Sequence, residues 1–457
     1  MGNLDNVIQA TLFDMGTEAA SGVTDNRSAF NDPAFANNKR VAIHRWVPWI
    51  AGFSREFVQS ALERHLKKKG VVLDPFAGVG TTLVEAVLAG HDAIGFEINP
   101  YATLACRTKL NACIYDPDNV EAAIEKFKVF YLQATQTKYM PHSEPPPGFK
   151  TRTAFYSPLV LEKVLIVHDF ITNCKDDAIQ NLFKIAFSST MVMYSNYSYE
   201  PSLGTRAAAG KTNIEDFPVG ETIAQKLEEM AEDIKWMGDR LQGANPTSEV
   251  FNTSFFKCRD QLSSNSVDLL ITSPPYLNNY HYNRNTRPHL YWLGYAEAPS
   301  DFKNLEEENF GKFWQTVRDR ERVDIEFKLE DEEIHKCLEI LRAKNPEKGH
   351  YGGNGWANYA ASYFNDCFKF AHAAKYALKR RGTALIVIGN SILQGVMIPT
   401  DQYLGKIAES IGLELIDIHI PRETRVGNSI IQSDVRVGKA EDTHKLYEAV
   451  VELCKRV

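Results

Sequence analysis

Residues 71–82 have the sequence Val-Val-Leu-Asp-Pro-Phe-Ala-Gly-Val-Gly-Thr-Thr, and the class of fold can be inferred from them. Its first three residues are an apolar run of the kind that forms a short buried strand. A helix is predicted from Thr81 to Ala89, where Gly90 closes it, and a second strand is predicted over Asp92–Ile98. Strand, glycine-containing turn, helix and strand together predict one nucleotide-binding half of a doubly wound α/β sheet.

The turn carries the residues of a ligand site. Gly78 and Gly80 let the backbone approach a ligand closely, and the N-terminus of the following helix offers unpaired N–H groups. A dinucleotide site would have a third glycine where this chain has Leu83. Asp74 disfavours a pyrophosphate but suits the amino group and sulfonium of S-adenosylmethionine, and Glu97 is placed to accept from ribose hydroxyls. The alternative is an ordinary α/β turn with a surface glutamate.

A second motif follows the strand predicted over Val267–Thr272. An exocyclic amine on a base is a poor nucleophile, and two acceptors aimed at its hydrogens free its lone pair for attack on a methyl group. The Ser273 hydroxyl and the Pro274 carbonyl are candidates for these acceptors, and Pro275 stiffens the turn. Tyr276 offers a face on which a flipped base can stack. The alternative is a Pro-Pro turn with a purely structural role.

Composition excludes several classes of protein. The seven cysteines are never spaced as C-x-x-C and never follow a proline. This pattern indicates reduced thiols without a metal site, and it argues against cytosine-C5 methylation, which needs a thiolate nucleophile. No apolar run is long enough to span a bilayer and no secretory pattern is present, so we expect a soluble, cytoplasmic protein. The formal net charge of −7 argues against coating nucleic acid through bulk charge, but it allows a local basic cleft.

The two motifs together resemble those of the amino-group DNA methyltransferases, specifically the N4-cytosine type. That family typically has a D-P-F-x-G-x-G-T cofactor motif, here Asp74–Thr81, and an S-P-P-Y catalytic motif, here Ser273–Tyr276. Enzymes that methylate adenine N6 more often have D-P-P-Y. The resemblance covers roughly residues 41–115 and 250–440. It implies a doubly wound, Rossmann-like, S-adenosylmethionine-dependent methyltransferase fold with a large, mainly helical insertion.

The resemblance also implies further cofactor-binding residues. Phe76 is part of the cofactor motif, and Phe53 lies in a segment that resembles the one covering the methionine end of the cofactor. Asp260 resembles the acid that binds the adenine amino group, although Cys258-Arg259 precede it where a glycine is usual. Double-stranded DNA is the implied substrate, and the resemblance leaves open whether a cognate restriction endonuclease accompanies the protein.

About 190 residues separate Gly80 from Ser273, which is more than a doubly wound domain requires and predicts an insertion. We therefore expect a flexible tail over 1–40, a cofactor-binding half over 41–115, a helical insertion over 116–250 that recognises the target, and a catalytic half over 251–457. A second insertion is expected at about 296–360. In the first insertion, helices are predicted over Leu159–Thr172, Ala178–Met193 and Ile223–Leu241, and a loop over Tyr197–Asn213.

Aromatic and basic residues alternate just after the catalytic motif. Tyr280, Arg284 and Arg287 are therefore candidates for gripping a flipped nucleotide and its phosphates, and Arg206 and Lys211 are further candidates for phosphate contacts. Adenine-N6 methylation and methylation of an RNA base remain alternatives, as does a non-catalytic scaffold that binds nucleic acid.

Overall fold

The computed structural model describes residues 35–49, 52–137, 139–199, 203–277, 282–422 and 446–456. Its strands are β1 (Val71–Asp74), β2 (Asp92–Phe96), β3 (Tyr197–Tyr199), β4 (Leu203–Thr205), β5 (Ser248–Phe251), β6 (Val267–Thr272), β7 (Leu378–Gly389), β8 (Ser391–Leu393), β9 (Val396–Ile398), β10 (Glu414–Arg422) and β11 (Glu448–Cys454).

The α-helices are α1 (Arg55–His65), α2 (Thr81–Leu88), α3 (Pro100–Leu110), α4 (Pro117–Gln136), α5 (Pro158–Asn173), α6 (Asp177–Thr190), α7 (Val219–Arg240), α8 (Tyr282–Trp292), α9 (Asp301–Glu308), α10 (Trp314–Val317), α11 (Glu333–Ala343), α12 (Asn354–Ala377) and α13 (Thr400–Ser410). Short 3-10 helices cover Phe35–Arg40, His44–Trp46, Asn111–Cys113, Arg206–Ala209, Phe255–Asp260 and Pro346–Tyr351. Among the helices that the structure describes, none is long and apolar enough to cross a membrane.

Seven strands form one sheet in the order β10-β11-β7-β6-β1-β2-β5. β1 pairs in parallel with both β2 and β6, so the chain winds outward from β1 in both directions. β5 and β7 continue the parallel sheet on either side, and β11 is inserted antiparallel between β7 and β10. This order confirms the doubly wound α/β fold, and it places the topological switch point, where such sheets bind ligands, at the carboxyl end of β1.

The described chain divides into two compact units. The sheet unit contains Arg27–Ile114, Lys235–Asn283 and Ala298–Val457 within the described residues, and therefore all seven strands of the large sheet. The helical unit contains Tyr115–Ile234 and Arg284–Glu297. Its core includes three mutually packed aromatic rings, Phe127, Phe170 and Phe183, with ring centroids 5.0–5.4 Å apart.

Local signals placed most helices correctly. Ser54 caps α1 by accepting from the Phe57 N–H at 3.2 Å, as an N-terminal serine is expected to do. Asn99 caps α3, accepting from the Tyr101 N–H at 3.0 Å. These caps fix where the helices begin, because a side-chain oxygen satisfies N–H groups that have no partner within the helix.

Two predictions of local structure were wrong. The loop predicted over Tyr197–Asn213 contains the β3–β4 hairpin and a 3-10 helix, because strands of three residues are too short to show a periodicity. The sequence predicts a helix over Asn365–Lys379, but in the structure it begins eleven residues earlier, at Asn354, directly after a glycine-rich segment. Its first turns bury Trp356 and Tyr363, so tertiary packing extends the helix where the glycines indicate a loop.

Candidate active site

A cavity lies at the carboxyl ends of four adjacent parallel strands of the sheet unit, β5, β2, β1 and β6. The space that it outlines, open solvent included, is about 710 Å³. Its lining residues follow these strands or come from neighbouring loops: Trp49, Pro75, Phe76, Gly78, Phe96, Glu97, Ile98, Asn99, Thr253, Ser254, Phe255, Ser273, Pro275, Glu308, Asn309 and Phe310. The cofactor motif and the catalytic motif of the sequence therefore meet in one cavity.

The glycine-containing turn forms one wall. Gly78 has a φ of +50° and Gly80 a φ of +87°, in the left-handed region that glycine tolerates best. A Cβ at Gly78 would lie 3.2 Å from Trp49 Nε1, and one at Gly80 would lie 2.6 Å from Cys106 Sγ. Gly80 thus allows α3 to pack closely against the turn, while Gly78 allows the Trp49 ring to approach it.

Glu97 is held at the cavity by backbone donors. Its Oε2 accepts from the Gly78 N–H at 2.9 Å, and its Oε1 accepts from the Asn99 N–H at 2.7 Å. Burial raises the pKa of Glu97 to about 7, and the charge of Asp74 adds to the rise although the two backbone donors oppose it. The carboxyl group is therefore fixed in position and close to the balance between its two protonation states at neutral pH.

Asp74 connects the two motifs through hydrogen bonds of its buried carboxyl group. Its Oδ1 accepts from Thr272 Oγ1 at 2.6 Å and from the Phe76 N–H at 3.0 Å. Its side chain is only 2% exposed and is not part of the lining, and burial raises its pKa to about 6. The bond to Thr272 connects residues 198 positions apart and places Ser273, the next residue, beside the cofactor turn.

The catalytic turn is fixed on two sides. The buried Tyr363 donates from its hydroxyl to the Pro275 carbonyl at 3.0 Å. Ser273 Oγ donates to the Tyr276 hydroxyl at 3.5 Å, and that hydroxyl donates to Glu448 Oε1 at 3.2 Å. Pro274 is buried between these contacts. Neither Tyr363 nor Glu448 was predicted as a site residue, because both come from elements distant in sequence without a motif of their own.

The structure places Phe53 and Asp260 outside the cavity lining. Phe53 is buried against Phe57, with ring centroids 5.7 Å apart, and Trp49 from the same segment lines the cavity instead. Asp260 is exposed at the end of the segment Phe255–Asp260, which has a kink at Lys257. Phe255 and Ser254 line the cavity, whereas Asp260 does not, so the structure does not bring Phe53 or Asp260 to the cavity wall.

Phe76 and the start of the second predicted insertion close another part of the wall. The Phe76 ring packs edge-on against Phe310, with centroids 5.2 Å apart. Glu308, two residues before Phe310, forms an ion pair with Lys257. Sequence reasoning missed Glu308, Asn309 and Phe310, because the charged segment around them has no recognisable motif.

Of the predicted nucleic-acid contacts Tyr280, Arg284 and Arg287, the structure describes the side chain of Arg287 alone. Tyr280 and the side chain of Arg284 lie outside the described residues. Arg287 belongs to α8 in the helical unit, where its Nη2 donates to the Lys150 carbonyl at 3.4 Å and its guanidinium carbon lies 5.5 Å from the centre of the Tyr291 ring. Tyr291 and Trp292, the last two residues of α8, are buried, so they serve to pack this helix.

Comparisons with known proteins find similarity to methyltransferases. A family model described as DNA methylase matches residues 28–106. The Type II methyltransferase M.BsoBI of Geobacillus stearothermophilus is 25% identical over 438 residues, which cover 87% of this chain and 83% of that protein. The Type II methyltransferase M.AvaI of Nostoc sp. is 25% identical over 417 residues, which cover 87% of this chain and 84% of that protein.

Among solved structures, the rRNA methyltransferase aviRa from Streptomyces viridochromogenes matches 93% of this chain and 94% of its own at 8% identity. Its TM-score is 0.31, and the fold is assigned from the strand order of the sheet instead. The matched family model, the relatives along most of the chain and the shared cavity of the two motifs agree. The chain is therefore similar to the amino-group DNA methyltransferases, and S-adenosylmethionine is the cofactor that this similarity implies.

Proposed function

We propose that this protein transfers the methyl group of S-adenosylmethionine to the N4 amine of cytosine in double-stranded DNA, acting on a base flipped out of the helix. The observation that carries the proposal is the position of Ser273 in the wall of the same cavity as Gly78 and Glu97. Methyl transfer requires the donor and the target amine to be held within a few ångströms of each other, and this arrangement provides that proximity.

The residues of the cavity fit the cofactor. Glu97 presents a fixed carboxylate for the ribose hydroxyls, and Gly78, which has no side chain, lets the Trp49 ring lie close to the turn. The buried carboxyl groups of Asp74 and Glu97 make this part of the cavity favourable for a cation. When bound, S-adenosylmethionine supplies an electrophilic methyl group on its sulfonium.

The catalytic turn supplies acceptors for the amine. The Ser273 hydroxyl and the Pro274 carbonyl accept from the two N–H groups of the target and leave the nitrogen lone pair directed at the methyl group. Tyr276 provides a ring on which the flipped base stacks. Ser273 in place of an aspartate favours cytosine N4 over adenine N6.

The state of Cys106 supports amine chemistry over attack at a ring carbon. Cys106 is the cysteine that packs against the glycine-containing turn, and it is fully buried. Burial raises the pKa of its thiol well above the ordinary range, so the thiolate needed for C5 methylation does not form there.

We further propose that the insertion over 116–250 recognises the target, with the segment at 296–360 contributing. One end of the helical unit is rich in exposed or half-exposed basic side chains that suit contact with phosphates. We call it the basic end, and it consists of Lys150, Arg152, Arg206, Lys211 and Arg287.

Hydrogen bonds hold the segments of the basic end together. Arg287 donates to the carbonyl of Lys150. The buried Asn196, which precedes β3, donates to the Ala154 carbonyl at 3.0 Å, and its own carbonyl accepts from the Arg206 N–H at 2.9 Å. The middle of α8, the segment before α5 and the β3–β4 hairpin therefore present one surface, as a DNA-reading element requires.

The test is to express the protein in a bacterial host without DNA methylation and to sequence the genomic DNA for modified bases. We expect N4-methylcytosine in one short motif with the wild type and none with Ser273→Ala. Ser263→Ala, which changes an exposed serine of the sheet unit, is the matched control and should methylate normally. N6-methyladenine would overturn the base assignment, and unmodified DNA from the wild type would overturn the proposed function.

A further inference from the structure

We infer that Glu448 is a positioning residue that sets the direction of the hydrogen bond made by the Ser273 hydroxyl. The inference rests on the proposed function, because it concerns how Ser273 becomes an acceptor for the target amine. It assigns a role in the reaction to a residue that lies in neither motif and is 172 positions from Tyr276.

Three side chains of the sheet unit form a chain of hydrogen bonds. Ser273 Oγ donates to the Tyr276 hydroxyl at 3.5 Å, and the Tyr276 hydroxyl donates to Glu448 Oε1 at 3.2 Å. Glu448 opens β11, where it pairs with Gly389 of β7. The sheet therefore fixes the backbone position from which the Glu448 side chain reaches Tyr276.

The direction of these bonds follows from the chemistry of the end group. Glu448 Oε1 accepts from the Tyr276 O–H, since a carboxyl oxygen without a proton has only lone pairs to offer. The tyrosine oxygen then has lone pairs left for the Ser273 O–H, and Ser273 donates to it. The lone pairs of the Ser273 oxygen remain for the N–H group of the target amine.

Without these two hydrogen bonds, a serine at the catalytic position could either donate to the target amine or accept from it. A hydroxyl can donate as well as accept, and a Ser273 proton directed at the target would bind the nitrogen lone pair that must attack the methyl group. An aspartate at this position accepts only and needs no such help. Through Tyr276, Glu448 thus makes the Ser273 oxygen a hydrogen-bond acceptor, which the aspartate of a D-P-P-Y motif is by itself.

Removal of Glu448 should leave the turn in place. Tyr363 holds the Pro275 carbonyl independently, and Asp74 holds Thr272. We therefore expect a Glu448 variant to keep its fold. If it binds the cofactor normally but loses activity, the loss shows that the direction of the Ser273 hydrogen bond matters for methyl transfer.

The experiment measures kcat and KM on a duplex that contains the motif found by sequencing. Glu448→Gln, which can present an N–H group to Tyr276, should lower kcat about tenfold to a hundredfold with little change in KM for S-adenosylmethionine. Glu414→Gln is the matched control, since Glu414 opens the neighbouring strand β10 and forms an ion pair with Arg456, whose side chain is 71% exposed. It should retain wild-type kcat.

A double-mutant cycle tests whether Tyr276 and Glu448 act through the same series of hydrogen bonds or independently of each other. Tyr276→Phe keeps the ring but breaks the chain, so it should lose kcat to a similar extent, and combining it with Glu448→Gln should cost nothing further. Multiplied losses in the double variant, or wild-type kcat in Glu448→Gln, would overturn the inference. Absence of methylation by the wild type would instead overturn the proposed function, so the two failures are distinguishable.

Discussion

Glu97 should make cofactor binding depend on pH around neutrality. Its pKa in the free protein is raised to about 7 by burial, so the group is about half protonated at pH 7. The ribose hydroxyls need the ionised form as an acceptor, and a cationic ligand favours that form further. Below pH 7 a proton must leave Glu97 on binding, which costs free energy, so the affinity should fall as the pH falls.

The size of the effect follows from the ionised fraction. With a pKa of about 7 in the free protein and a lower one in the complex, that fraction falls from about 0.97 at pH 8.5 to about 0.24 at pH 6.5. The dissociation constant of S-adenosylmethionine should therefore rise about fourfold over this range. In Glu97→Gln, charge-assisted bonds to the ribose become neutral ones, and we expect a loss of about 2 kcal/mol, or roughly thirtyfold in affinity, at pH 8.5.

The assay is isothermal titration calorimetry of S-adenosylmethionine against wild type and Glu97→Gln at pH 6.5, 7.5 and 8.5. The amino group of the ligand titrates in the same region, but it does so equally with both proteins, so the ratio of the two affinities isolates Glu97. That ratio should shrink as the pH falls. A ratio that is constant with pH, or equal affinities at pH 8.5, would refute the proposed contact between Glu97 and the ribose.

Three other variants test the packing and the surfaces. Gly80→Ala should lower the free energy of unfolding in urea by about 2–4 kcal/mol, because of its left-handed φ and the close approach to Cys106; adding Cys106→Ala should recover the steric part, and full stability of the single variant would contradict the packing. Trp49→Ala should weaken S-adenosylmethionine binding about tenfold in calorimetry, since an aromatic wall of the cavity is lost; wild-type affinity would remove Trp49 from the site. The double change Lys150→Gln with Arg152→Gln should lower the slope of log K for DNA against log salt by about 2 without changing cofactor affinity; an unchanged slope would separate the basic end from DNA.

Much of the local structure around the cofactor turn could be predicted, because its causes are local. The apolar run before Asp74, the glycines of the turn and the cap at Asn99 each act within a few residues of the structure they determine. Phe53 and Asp260 were less predictable, because the side chains facing a cavity depend on how a segment packs. Trp49 lines the cavity instead of Phe53, and Thr253 and Ser254 line it while Asp260 does not.

Strand β11 illustrates what a local pattern does not contain. Its apolar run forms a strand, but its antiparallel insertion between β7 and β10 depends on pairing with strands far away in the chain. That insertion brings Glu448 to Tyr276, and no spacing or motif in the sequence indicates this contact.

The class of fold and the resemblance to amino-group DNA methyltransferases could be inferred from the sequence, because glycine turns, acids and a Ser-Pro-Pro-Tyr turn are short patterns with local physical causes. The tertiary structure decided that the motifs share one cavity, through the bond between Asp74 and Thr272, and that Glu448 ends the hydrogen-bond chain from Ser273. Contacts between residues 172 and 198 positions apart depend on strand order and register, which arise only when the whole sheet is assembled.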